Sequence, residues 1–197
     1  MDVSTPLDQT DTITSFMNAF CKAGAEAVRC YVDISHSDPL DPPYMPEYFV
    51  SSYILQHLGS RWVMTLETNL NHIMCLNQSI PAKNSKRRVD MVIFDPITNA
   101  KSTILALAEF KNGKLDYETI PSKDSDRDKM LRLFSLIDTC PYGIVCGWID
   151  QRWLDYHQPR LPDTLFTDVV PGSFRDKNTY LFGALLMKNH NFHTRID

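Results

Sequence analysis

The sequence predicts an α/β domain whose sheet is covered on both faces, in the order helix, three strands, helix, strand. Three observations carry that prediction. Apolar residues recur at helical spacing over 9–29 and again over 124–138. Apolar runs of strand length stand between and after them, at 61–70, 87–95, 102–111 and 142–149. Two of those runs, RRVDMVIFD and STILALAEFK, are apolar on both alternating sides, as strands buried on both faces are.

Each element has a local reason. In 9–29, Phe16, Met17, Phe20, Ala23, Ala27 and Val28 form one apolar stripe. The proline-rich stretch SHSDPLDPPYMPE (35–47) is a loop. It ends in a second helix start, where Pro46 suits the first turn and Glu47 complements the helix dipole. That helix should run to about Leu58, with Gly59 as its stop. RWVMTLETNL (61–70) reads as a strand, and 71–85 as a polar connection. The strand 87–95 closes at Asp95-Pro96, and the strand 102–111 closes at Asn112-Gly113. In 124–138 acids fill the first turn, and Met130, Leu133, Phe134 and Ile137 repeat at i, i+3, i+4, i+7. YGIVCGWI (142–149) is the fourth strand. TYLFGALLM (179–187) fits an edge strand or a short helix, and periodicity does not decide between them.

Hydrophobic residues make up 43% and charged residues 22% of 197, which suits a single domain (1–197) with an ample core. A net charge of −4 argues against a chain coated in positive charge for non-specific nucleic-acid binding. The dense basic cluster is local: Lys83, Lys86, Arg87 and Arg88, just ahead of the second strand, where they could meet a phosphate backbone or simply be solvated. The five cysteines form no C-x-x-C and no zinc-ligand spacing. The opening MDVSTPLDQTDTITSF lacks a basic and an apolar region, and no apolar run is long enough to cross a bilayer. The expectation is an intracellular, cytoplasmic protein without a membrane partner. No phosphate-cradling glycine loop occurs.

The informative anomaly is charge inside the two core strands. Alternation sets Leu105, Leu107, Glu109 and Lys111 on one side of the third strand, and Asp90 with Val92 and Phe94 in the second. If the strands form a hairpin centred between residues 99 and 100, Asp90 falls opposite Glu109. Converging carboxylates repel unless a proton or cation lies between them. Mg²⁺ suits such a site, with one or two carboxylates, a backbone carbonyl, waters and phosphate oxygens as ligands. A neighbouring lysine can orient water and offset charge growing on a phosphate.

RVD, followed after 18 intervening residues by EFK, resembles the PD-(D/E)XK nuclease superfamily. The resemblance spans about residues 46–149, leaving N- and C-terminal additions. It implies a restriction-endonuclease-like core with a mixed central sheet flanked by helices. It further implies that Asp90, Glu109 and the Phe110 carbonyl bind metal, with Mn²⁺ able to replace Mg²⁺, and that Lys111 positions the attacking water. Many members add a glutamate from the first core helix. Glu47 is the candidate, and Glu67 in the first strand is its competitor. Val89 stands where the motif commonly has proline. The function implied is Mg²⁺-dependent hydrolysis of phosphodiester bonds, in DNA rather than RNA, with a homodimer as one arrangement that cuts both strands. The alternative is an inactive protein on the same fold, a binding or regulatory subunit of a defence or mobile-element system.

Overall fold

A computed structural model of the chain describes residues 9–35, 47–69, 88–94, 104–111, 125–135, 137, 140–158, 163–170 and 179–187. Helix α1 (Gln9–Ser35) leads into α2 (Glu47–Leu58). Strands β1 (Val63–Asn69), β2 (Arg88–Phe94) and β3 (Ile104–Lys111) follow, then α3 (Asp126–Ser135) and β4 (Tyr142–Asp150). After β4 the described residues form α4 (Gln151–His157), β5 (Thr164–Val169) and β6 (Thr179–Met187).

Helix α1 continues six residues beyond the apolar stripe that predicts it. Local and tertiary contacts explain the extension. Arg29 pairs with Asp33 one turn on at 2.7 Å, and the Ser35 hydroxyl donates to the Tyr31 carbonyl. Tyr31 also packs edge-on against Phe49 of α2. Helix α2 stops where expected. The Gly59 N–H still bonds to the Leu55 carbonyl at 2.8 Å, and a Cβ at Gly59 would lie 2.6 Å from that oxygen, so a side chain does not fit. Helix α3 begins at a Ser125 cap whose hydroxyl accepts from the Asp128 N–H at 3.1 Å.

The described strands form one six-stranded sheet in the order β1-β2-β3-β4-β6-β5. Only β3 and β4 run parallel, joined through α3, and every other neighbouring pair is antiparallel. The sheet is therefore mixed and flanked by helices. The segment 179–187 is a strand, but it lies inside the sheet between β4 and β5. Among the described strands the edges are β1 and β5, and the sequence pattern leaves β5 unread.

Two apolar clusters fill the faces. On one, Phe16, Met17 and Phe20 of α1 and Ile54 of α2 cover Met91, Ile93, Ala106, Ala108 and Phe110. On the other, Met130 and Leu133 of α3 cover Val92, Leu107 and Val145. Gly24 lets α1 lie close to β6, since a methyl there would collide with the Leu181 side chain.

Strict alternation fails at one point. Ile93 faces Ala106 but Phe94 faces Ile104, so Leu105 is an extra residue in β3. Leu105 consequently joins the α1 face, while Leu107 lies on the α3 face. The expected grouping of Leu105 with Leu107 is corrected by this bulge.

Candidate active site

The ladder between β2 and β3 reaches Met91 opposite Ala108 and goes no further. One more step would set Asp90 against Glu109. Instead the Asp90 carboxylate takes the place of a strand carbonyl and accepts the Phe110 N–H at 2.7 Å. A charge-assisted bond of this kind fixes both partners. On the opposite side of β3, the Phe110 ring is fully buried against Phe20, with centroids 5.5 Å apart. Phe110 is thus held by its backbone from β2 and by its side chain from α1. Glu109 and Lys111, on either side of it, turn toward the α3 face. Their other neighbour is β4, where Glu109 is level with Val145 and Lys111 with Gly147.

The Glu109 and Lys111 side chains meet at 3.4 Å and are 22% and 27% exposed. At that burial an ion pair is only partly screened. Burial pushes the Glu109 carboxyl up to about 7, and the charge of Asp90 adds to the rise, while Lys111 opposes it. Near neutral pH the two carboxylates therefore carry less than two full charges when no cation joins them. Burial alone would lower Lys111. The carboxylates of Glu109, Asp126, Glu47 and Asp90 outweigh it and keep the ammonium protonated above its ordinary range.

These contacts define a cleft of about 320 Å³ lined by Arg88, Glu109, Lys111, Asp126, Lys129 and Arg132, with Met130 and Leu133 as its apolar part. Asp126 is the residue that sequence reasoning misses. It lies in the first turn of α3, only 8% exposed, and Lys129 reaches it at 3.6 Å. An acid in a helix's first turn is expected from the dipole alone, so nothing in the sequence marks it. Helix α3 is tied at this end by the Ser125 cap and by a two-pronged bond from Arg127 to Asp163, one prong at 3.0 Å.

The remaining sequence candidates separate. Glu47 opens α2 and acts electrostatically on Lys111. Glu67 sits on the outer strand β1, exposed, between the pairs Leu66–Met91 and Thr68–Val89. Its φ of 48° takes it out of regular strand geometry. Arg88 lies on the rim of the cleft. Lys83, Lys86 and Arg87 lie outside the described residues. Of the described cysteines, Cys21, Cys140 and Cys146 are buried and Cys30 is half-buried, and burial pushes the Cys21 thiol up to about 12.

Among the described residues, no group of three or more His, Cys, Asp or Glu side chains converges as a metal site. The donor chemistry nevertheless fits a hard divalent cation. Asp90 and Glu109 offer only oxygens, and they lie close enough to raise the charging cost of Glu109. No helix of the described residues is long and apolar enough to cross a membrane. The chain matches no protein-family model, no curated protein and no solved structure.

Proposed function

We propose that this protein hydrolyses phosphodiester bonds of DNA with the help of Mg²⁺, on a restriction-endonuclease-like core. The observation that carries the reading is the junction at Phe110. Asp90 binds its N–H, and Glu109 and Lys111 flank it as a 3.4 Å pair facing one cleft.

Asp90, Glu109 and the Phe110 carbonyl would hold the ion, with Glu47, which acts on Lys111 after Glu109 and Asp126, as the further carboxylate from the first core helix. When bound, Mg²⁺ supplies positive charge to the phosphate under attack. Lys111 supplies the rest. Surrounded by carboxylates it stays an ammonium, so it donates hydrogen bonds and does not take the proton from water. It orients the attacking water and meets the negative charge that grows on the phosphate oxygens. Its own orientation is fixed, because Phe110 is clamped from both sides. Attack is in line and no covalent intermediate is needed. The bond from phosphorus to the 3′-oxygen breaks as the water oxygen bonds to phosphorus. The water's proton passes to solvent, and the leaving 3′-oxygen takes a proton from solvent. The ends left are 5′-phosphate and 3′-hydroxyl, as is usual in the family the motif resembles.

A non-catalytic protein on the same fold is the second reading. The overall charge of −4, unusual for a protein that grips DNA broadly, stands on its side. The two part in one assay. Single- and double-stranded DNA are incubated with the protein and Mg²⁺ or Mn²⁺, beside the Glu109→Ala variant. Hydrolysis by the natural protein and its loss in the variant is the expected result. No hydrolysis with either metal, or equal hydrolysis by the variant, removes the catalytic reading.

A further inference from the structure

The cleft differs in charge from the rest of the chain. Among the described residues, four cationic side chains, Arg88, Lys111, Lys129 and Arg132, line it against two carboxylates, Glu109 and Asp126. The whole chain carries −4. The cations are not interchangeable in position. Lys111 sits beside Glu109, half-buried, whereas Arg88, Lys129 and Arg132 are exposed at the rim. Arg88 opens β2, on the side of Asp90, and Lys129 and Arg132 stand on α3. A strand of phosphates crossing from β2 to α3 would pass over Glu109 and Lys111.

The other lining groups say what is left unread. Among the described residues no aromatic side chain lines the cleft, and its apolar part is Met130 and Leu133. Stacking platforms are the usual means of holding unpaired bases. A volume of about 320 Å³ is at the small end of ligand sites, with room for a short length of backbone.

We infer that Arg88, Lys129 and Arg132 form a phosphate clamp that holds one polynucleotide strand by its backbone, on both sides of the hydrolysed phosphate and without reading bases. The inference rests on the phosphodiesterase reading for its ligand, but binding and cleavage are separable. Arg88 closes the clamp on the β2 side. Lys129 and Arg132 close it on the α3 side, where the Arg127–Asp163 bond and the Ser125 cap hold the helix in place. Phosphate contacts position a nucleic acid and base contacts specify it, so a site with only the first is indifferent to sequence.

The test is metal-free binding of the full chain, in chelator, to fluorescent oligothymidine and oligocytidine across a range of KCl concentrations. Each phosphate contact on a single strand contributes about 0.7 to the slope of log affinity against log salt. The Arg88→Ser/Lys129→Ser/Arg132→Ser variant should lose about 2 from that slope, equally for both oligonucleotides. Each single variant should lose about a third as much, which keeps the test alive should the triple variant fold poorly. Lys22→Ser, on an exposed position of α1, should leave the slope unchanged. An unchanged slope in the rim variants, an equal loss in Lys22→Ser, a changed preference between the oligonucleotides, or no binding by the natural protein overturns the clamp. Because no bond is cut in this experiment, a protein that binds as described but never cleaves would fail the hydrolytic reading alone. A protein that cleaves with an unaltered slope in the rim variants would fail the clamp alone.

Discussion

On one face of the sheet, α1 brings Phe16, Met17 and Phe20 down onto Ala106, Ala108 and Phe110, with Trp62 edge-on to Phe16 at 4.9 Å. On the other face α3 brings Met130 and Leu133 onto Val92, Leu107 and Val145, and beside them places Asp126, Lys129 and Arg132 around Glu109 and Lys111. Each large side chain buried on the first face contributes about 1.5–3 kcal/mol, although the Trp62 ring N–H is buried there without a hydrogen-bond partner. The second face gives up part of that gain to hold charge at low exposure, which costs stability unless the charges have partners. The difference teaches that the two faces are coupled through one residue. Phe110 presents its ring to the dry face, its N–H to Asp90, and its two neighbours in sequence to the charged one. Rigidity generated on the α1 side is delivered to the cleft on the α3 side.

The largest expected effect separates stability from chemistry. Phe16→Ala should cost about 3–5 kcal/mol in chemical denaturation, and the hydrolysis rate per folded molecule should change less than about tenfold, or about 1.4 kcal/mol of barrier. A larger loss of rate would break the division between the faces. Phe110→Ala, by contrast, should lower both.

Next in size is pH dependence. The Glu109 carboxyl, raised to about 7 in the folded chain, holds its proton more tightly there than when unfolded. The stability this lends is fully present below the ordinary carboxyl range and is lost as pH rises through about 7. Without divalent metal, stability should therefore fall between pH 5 and 8 by on the order of 2 kcal/mol. Glu109→Gln should flatten the fall, and Mg²⁺ should reduce it. A fall that survives in Glu109→Gln would place the titrating group elsewhere.

The smallest effect probes α3. On the proposed hydrolytic reading, Asp126 is a positioning residue that acts through the charge it sets on Lys111. Asp126→Asn should slow turnover roughly fivefold to tenfold, about 1 kcal/mol. It should also move the alkaline limb of the rate profile to lower pH, because Lys111 loses a carboxylate that keeps it protonated. A slower enzyme with an unmoved limb would make Asp126 a structural residue.

Much of this arrangement is legible in the sequence because it is local or periodic. Amphipathic spacing finds α1 and α3, Gly59 ends α2, and period two brings Asp90 and Glu109 toward the same level of neighbouring strands. What escapes is set by tertiary contact. The Leu105 bulge depends on how β3 fits β2, not on any signal in STILALAEFK. Strand β5 is an edge whose residues are exposed or half-buried, so it shows weak alternation, and α4 is only seven residues long. The place of 179–187 inside the sheet follows from its pairing with β4 and β5, which no pattern within the segment encodes. Asp126 escapes for a different reason. Its type and position are ordinary for a helix start, and only its burial beside Lys111 makes it part of the cleft.

The central claim is that Glu109 and Lys111 act as one hydrolytic unit. The measurement that meets it most directly is single-turnover cleavage of end-labelled DNA with Mg²⁺ by the natural protein, Glu109→Ala, Lys111→Ala and the double variant. Each single change should lower the rate on the order of 10²–10³-fold, as loss of one transition-state contact does. The double variant should be little worse than the slower single one, since residues acting as a unit are far from additive. Single variants that cut as fast as the natural protein, or losses that simply multiply in the double variant, would contradict it.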